Sequence, residues 1–140
     1  MMIVRVILVL AAVLAQPIAA RAAGEDCPAE DGTEIERLLA EASSCDRSMA
    51  LFRICALGAS GDMALGAIVR QRCEGEFLDE LSRAERRRYD RWIRFCERKY
   101  RHEAGTMYRS FEAFCAATVA QAYARRAAAK SGQTKRKRRR

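Results

Sequence analysis

Six cysteines, one histidine and a crowd of arginines are the residues in this chain of 140 whose chemistry has to be accounted for first. The cysteines, Cys27, Cys45, Cys55, Cys73, Cys96 and Cys115, are widely separated, and no Cys-x-x-Cys pair occurs. Zinc sites, thioredoxin-like redox centres and haem attachment all use such close pairs. An even set of distant cysteines instead suits structural disulfides, the staples of small exported domains. His102, the one candidate acid–base side chain, falls in the run Arg98-Lys99-Tyr100-Arg101-His102-Glu103, a solvated helix end with no orienting partner in sight. Gly58-Ala59-Ser60-Gly61-Asp62 leads into a helix as an anion-holding loop would. It lacks a preceding strand and a Gly-Lys-Ser/Thr ending, so it reads as a turn between helices. No catalytic, cofactor-binding or metal-binding residue is assigned, and neither an enzyme nor a small-molecule substrate is expected.

The basic residues form two groups. Arg83, Arg86, Arg87, Arg88, Arg91, Arg94 and Arg98 crowd one segment, interleaved with acids at 79, 80, 85, 90 and 97 that would pair with many of them. Arg87, Arg91, Arg94 and Arg98 nevertheless recur at i, i+4, i+7 and i+11, an exposed stripe suited to an acidic partner. Arg87, Arg91 and Arg94, with Met107, Tyr108 and Arg109 from the loop that follows, are the candidate residues for contact with a protein partner. The second group is the C-terminal run Lys135, Arg136, Lys137, Arg138, Arg139 and Arg140. Adjacent cations of this kind attract polyanions, whether nucleic acid, acidic lipid headgroups or lipopolysaccharide. Residues 130–140 are expected to be a disordered basic tail. Charge is accordingly uneven: residues 23–124 carry 15 basic against 18 acidic groups, and from Arg125 onward there are nine basic residues and no acid.

The compartment is signalled at the other end. After Met1-Met2-Ile3-Val4-Arg5 the chain is apolar from Val6 to Ala15, then meets Gln16-Pro17 and small residues. This is the order of a secretory signal peptide spanning residues 1–22, with Ala20 and Ala22 at the −3 and −1 positions of the cut. A membrane-spanning helix needs about 20 apolar residues, and Gln16-Pro17 interrupts this one too early. A periplasmic or secreted location is expected, leaving residues 23–129 as one helical, disulfide-rich domain ahead of the tail.

The elements that position these groups are helices. Thr33 with Glu36 has capping-box spacing and opens a helix carrying Ile35, Leu38, Leu39 and Ala42. Ser43-Ser44 breaks it. A second helix runs to about Leu57 with Met49, Phe52 and Ala56 inward, and ends at Gly58–Gly61. Asp62 can cap a third, with Leu65, Ile68, Val69 and Cys73 on one face, and Gly66 and Gly75 predict a kink or an early end. Ser82 with Glu85 is a second capping box, followed by the stripe Tyr89, Trp92, Ile93, Cys96 and Tyr100. Beyond Gly105-Thr106, Phe111, Phe114, Cys115, Thr118, Val119, Ala122 and Tyr123 repeat the pattern. Both stripes should face a core. No alternating strand pattern appears, so the fold class is all-α, a small bundle of four to five short helices.

Sequence alone cannot choose among the pairings that six cysteines allow, but antiparallel helices rank them, because residues equidistant from a turn lie at equal height. Cys96 and Cys115 are centred on Gly105-Thr106, and Cys45 and Cys73 on the Gly58–Gly61 turn; Cys27 with Cys55 remains.

Leu81, Glu85-Arg86, Trp92, Cys96, Gly105-Thr106-Met107, Cys115 and the arginine-ended helix after it give residues 78–125 a likeness to a known pattern. They resemble the lysozyme-inhibitor-like (LprI-type) family of bacterial periplasmic domains, in which a helix with Arg and Trp leads to a Cys, a Gly-containing loop and a second Cys. The resemblance implies a helical, disulfide-containing periplasmic protein. One branch of that family binds and inhibits lysozyme, so inhibition of a cell-wall hydrolase is one expected function. A secreted or periplasmic helical binding module whose tail attracts an anionic envelope surface or other polyanion is the leading one. A cationic nucleic-acid- or envelope-binding protein is a third. Intact mass of the exported protein checks the frame: cleavage near residue 22 is expected, with a gain of about six hydrogens on reduction. A full-length chain with free thiols would overturn it.

Overall fold

Helix-forming residues dominate between short runs of glycine and serine, and the chain folds into five α-helices. The computed structural model describes residues 26–139, in which α1 is Gly32–Ala40, α2 Cys45–Cys55, α3 Asp62–Glu74, α4 Arg83–Tyr100 and α5 Thr106–Arg138. A single 3-10 turn, Leu78–Glu80, joins α3 to α4, and no strand occurs among the described residues. The expected leader, residues 1–22, lies outside the described residues, as does Arg140.

Helix starts are set by side-chain oxygens that accept from otherwise unpaired amides. At α1 that residue is Asp31, whose carboxylate accepts from Glu34 N at 2.9 Å. This corrects the assignment of the cap to Thr33 and Glu36, which lie inside the first turns. Ser44 caps α2, which stops at Cys55, two residues before the expected end at Leu57. At α4 the Ser82–Glu85 capping box is complete in both directions. Asp62 differs from expectation. It is the first residue of α3 and leaves that helix uncapped; its buried carboxylate turns back and accepts from the amides of Leu57, Gly58 and Ala59 at 2.8–3.3 Å and from Ser110 Oγ at 2.6 Å. It thus closes the turn after α2, where Gly58 takes a positive φ of 68°, and fastens it to α5.

The core gathers Leu39, Met49, Phe52, Val69 and Phe77, all nearly or wholly inaccessible. Phe52 stacks on Phe114 at 4.2 Å, and Phe77, Tyr89 and Tyr123 form a ring cluster with centroids 5.1–5.5 Å apart. The Tyr89 hydroxyl donates to Glu74 at 2.6 Å. Burial first, and that carboxylate second, push its pKa well above the ordinary tyrosine value, so it stays a donor.

Three disulfides tie the helices: Cys27–Cys55, Cys45–Cys73 and Cys96–Cys115, the pairing that the turn midpoints rank first. Each closes a loop whose chain-entropy cost in the unfolded state corresponds to about 3–4 kcal/mol. That matters against a typical domain stability of about 5–15 kcal/mol.

Gly66 neither kinks nor ends α3, which runs unbroken to Glu74 with Gly75 after it. It is where α5 comes closest: a Cβ on Gly66 would lie 2.8 Å from Ala113 Cβ and 3.2 Å from the Ala113 backbone. α5 turns Ala113, Ala117, Ala120 and Ala124 inward, small side chains that let two helices meet at such range. Two further expectations are corrected in α5. It spans 33 residues, about 50 Å, so it is not short. It also continues as helix through Lys130–Arg138, where a disordered tail is expected. Alanine, lysine, arginine and glutamine are good helix formers, and Ser131 and Thr134 hydroxyls donate to carbonyls four residues back.

Gly66→Ala is expected to invert the usual helix ranking. At an exposed position the change would stabilise by about 1 kcal/mol; here overpacking should destabilise by about 1–3 kcal/mol in urea unfolding. Adding Ala113→Gly should restore much of the loss, and failure of that rescue would place the strain elsewhere.

Candidate functional site

Cationic side chains end up where the core does not need them. On α4 the inward positions are Tyr89, Ile93 and Cys96, and Arg87, Arg91, Arg94 and Arg98 project from the opposite side, all exposed. None of the four makes an ion pair among the described residues. The interleaved acids were expected to neutralise this helix, yet only Glu85 pairs, and with Lys130 of α5. The arginine face is therefore open. Arg86 is partly spent on the Leu78 carbonyl at 3.3 Å.

The six residues proposed from sequence for one partner surface are not brought together. Arg87 stands about 20 Å along the α4 axis from Tyr100, whereas Met107, Tyr108 and Arg109 begin α5 beyond that far end. Arg109 is committed internally. It donates to the Tyr100 carbonyl and lies 2.9 Å from the Glu112 carboxylate, fixing the turn between α4 and α5. Tyr108 is half-buried against Tyr100 and Phe111, and Met107 alone of the three is freely exposed. Gly105, at φ 113°, makes the turn itself. His102 lies exposed just before it with no hydrogen-bond partner among the described residues.

Two anchors hold the basic half of α5. Asp46 accepts from Gln121 at 2.6 Å and from Arg125 at 2.7 Å. Slight burial pushes its pKa up, but those hydrogen bonds, with the charges of Arg125 and Arg53, hold it below the usual carboxylate range. Glu85 lies 3.3 Å from Lys130 while also accepting from the Ser82 hydroxyl and amide. Past Lys130 every described residue is exposed, so Lys135, Arg136, Lys137, Arg138 and Arg139 stand on a helix that clears the body. The polyanion candidates are thus displayed together on a scaffold; Arg140 lies outside the described residues.

Sequence reasoning missed an aromatic patch. Trp92 and Phe111 were expected in the core but are 49% and 42% exposed, and Phe95 is 44% exposed. With Tyr100, Phe114 and Val119 they line an open groove of about 510 Å³ over the Cys96–Cys115 bridge, between α4 and α5. The signal was present: Tyr89, Ile93, Cys96 and Tyr100 already complete a stripe at i, i+4, i+7 and i+11, and Trp92 and Phe95 lie to one side of it. On α5 the alanine face takes the inward place, which turns Phe111 and Thr118 outward.

Among the described residues no cluster of His, Cys, Asp and Glu could hold a metal ion, and no helix is long and apolar enough to cross a membrane. The class that fold and surface define is a disulfide-stapled, all-α protein, whose bridges point to an oxidising environment. No family model, no curated protein and no solved structure matches the chain, so the lysozyme-inhibitor-like resemblance stands on the residues quoted for it.

The Ser82–Glu85–Lys130 junction carries a pH signature. Hydrogen bonds from Ser82, then Lys130, lower the Glu85 pKa from 4.5 to about 2. A carboxylate with a depressed folded-state pKa adds stability that is present above the ordinary value and is lost as pH falls towards the folded one. Side-chain NMR of Glu85 should therefore show a titration midpoint near 2, and Lys130→Ala should raise it. An ordinary midpoint would mean that neither partner holds the charge.

Proposed function

We propose that this protein is an exported helical binding module, periplasmic or secreted, that engages polyanionic surfaces through the basic end of α5. The observation that carries the reading is the cationic run on an exposed helix, held away from every acid of the body. Lys135–Arg139 are all exposed and unpaired among the described residues, and the last acid in the chain is Glu112. A helix pre-forms what a disordered tail would have to order on binding, which lowers the entropic cost of association. The arginine face of α4 adds a second cationic surface without internal partners.

Export is supported by the leader-like N-terminus and by the three disulfides, which persist outside reducing compartments. Binding by such a surface is electrostatic, fast and weakly selective. It would concentrate the module at an anionic envelope surface, with each basic residue near it contributing about 1 kcal/mol.

Duplex DNA serves as a probe of defined phosphate spacing. If about six phosphates are neutralised, log affinity should fall with log salt at a slope of about −5. Deleting residues 131–140 should reduce that slope towards zero and leave thermal unfolding of the oxidised body unchanged. Undiminished salt-dependent binding by the shortened chain would sink the assignment to this helix.

A further inference from the structure

We propose that the Trp92–Phe95–Phe111 patch beds into the boundary between headgroups and acyl chains of an anionic lipid bilayer. This rests on the polyanion reading of α5 and narrows the polyanion to lipid. Single exposed apolar residues are ordinary on a protein surface, but a contiguous cluster of large ones is not. Trp92 and Phe95 meet edge to face at 5.7 Å, and the groove they border reaches Phe111 on the neighbouring helix. Each keeps between 42% and 49% of its surface open, and no part of the described chain covers them.

Charge around the patch selects the occupant. Arg88 and Arg91 share a hollow with Trp92 and Phe95, and no acid lines either that hollow or the aromatic groove. Arg88 also borders a cleft with Arg126 and Lys130, where the basic extension of α5 begins. Aromatics and cations thus form one continuous face. Long basic side chains lay their stems on apolar material and keep their heads in water, and such a face beside exposed Trp and Phe is the pattern of surface-lying membrane contacts. A second copy meeting this face symmetrically would set Arg88 and Arg91 against their own counterparts, which repel. A bilayer of acidic lipids supplies both requirements, an apolar layer for the rings and phosphates for the cations. Stable attachment takes two signals, and here they are the rings and the basic helix. No described helix is long and apolar enough to span, so the contact lies on the surface.

Trp92 is the only tryptophan of the chain, so its emission reports the patch directly. The oxidised, exported protein is mixed with vesicles of phosphatidylglycerol and phosphatidylcholine, with phosphatidylcholine alone, and with duplex DNA, a polyanion without acyl chains. A blue shift, quenched by lipids brominated on the acyl chain, is expected with the mixed vesicles only. Phe95→Ser with Phe111→Ser keeps the reporter and removes apolar area; vesicle affinity should fall about 10- to 30-fold, with DNA binding and the far-ultraviolet dichroism unchanged. Equal binding of DNA and mixed vesicles without any shift in Trp92 emission would overturn the insertion and leave the polyanion reading standing. Binding of neither would overturn both. A shift caused by poly-glutamate but not by vesicles would replace the bilayer with an acidic polypeptide, and a shift that grows with protein concentration alone would replace it with a second copy.

Discussion

The contact of Gly66 on Ala113 is the constraint from which most of this structure follows. Two helices can meet at that distance only where one presents no side chain and the other a methyl. Once α5 is seated there, its alanines at 113, 117, 120 and 124 line up against the body, and its rotation about its own axis is decided. Larger residues then go to the flanks. Phe114 reaches Phe52, Tyr123 joins Phe77 and Tyr89, and Phe111 is left facing water beside α4. The same seating aims the far end of α5 past the rest of the molecule. A choice of small residues in the middle of one helix thereby places both the aromatic groove and the basic extension.

Polar groups finish what the alanine face begins. Ser110, one turn into α5, donates to the buried Asp62 carboxylate, which also holds three amides of the turn after α2. Leaving those donors without a partner would cost about 1–3 kcal/mol each, so the turn and the first turns of α5 are ordered as one unit. At the other end of the body, Asp46 of α2 takes Gln121 and Arg125. Arg72 and Glu76 do the same for the stretch between α1 and α2, through the Ala42 carbonyl and the Cys45 amide. Long-range polar contacts therefore set the register of α5 along the bundle, while packing sets its rotation.

Fold class and helix number were legible in the sequence because capping residues and 3.6-residue periodicity act locally. Ser82 and Glu85 satisfy each other within one turn, and no distant residue can overrule them. Asp62 was misread because its partners include Ser110, 48 residues away. Trp92 and Phe111 were misread for a related reason: hydrophobicity ranks a tryptophan above an alanine for burial, but a close helix contact selects for size. The arginine face was legible as a stripe, yet its freedom from ion pairs depends on side-chain placement that spacing does not specify. The order of the C-terminal run was misjudged because net charge was weighed above helix propensity; the acids that would have flagged an anchor, Glu85 and Asp46, lie far off in sequence.

The bridges divide the chain in a telling way. Cys27–Cys55 and Cys45–Cys73 overlap, so residues 27–73 form one interlocked covalent unit, while Cys96–Cys115 closes the α4–α5 hairpin as a second. No disulfide crosses between them. The seam at Gly66 and Ala113, with the Phe77, Tyr89 and Tyr123 rings, is held by packing and hydrogen bonds alone. Thermal opening of the oxidised protein is then a parting of two pre-tied halves on the hinge of residues 74–95. Each half carries its knots with it, so closing again requires only that the halves find each other.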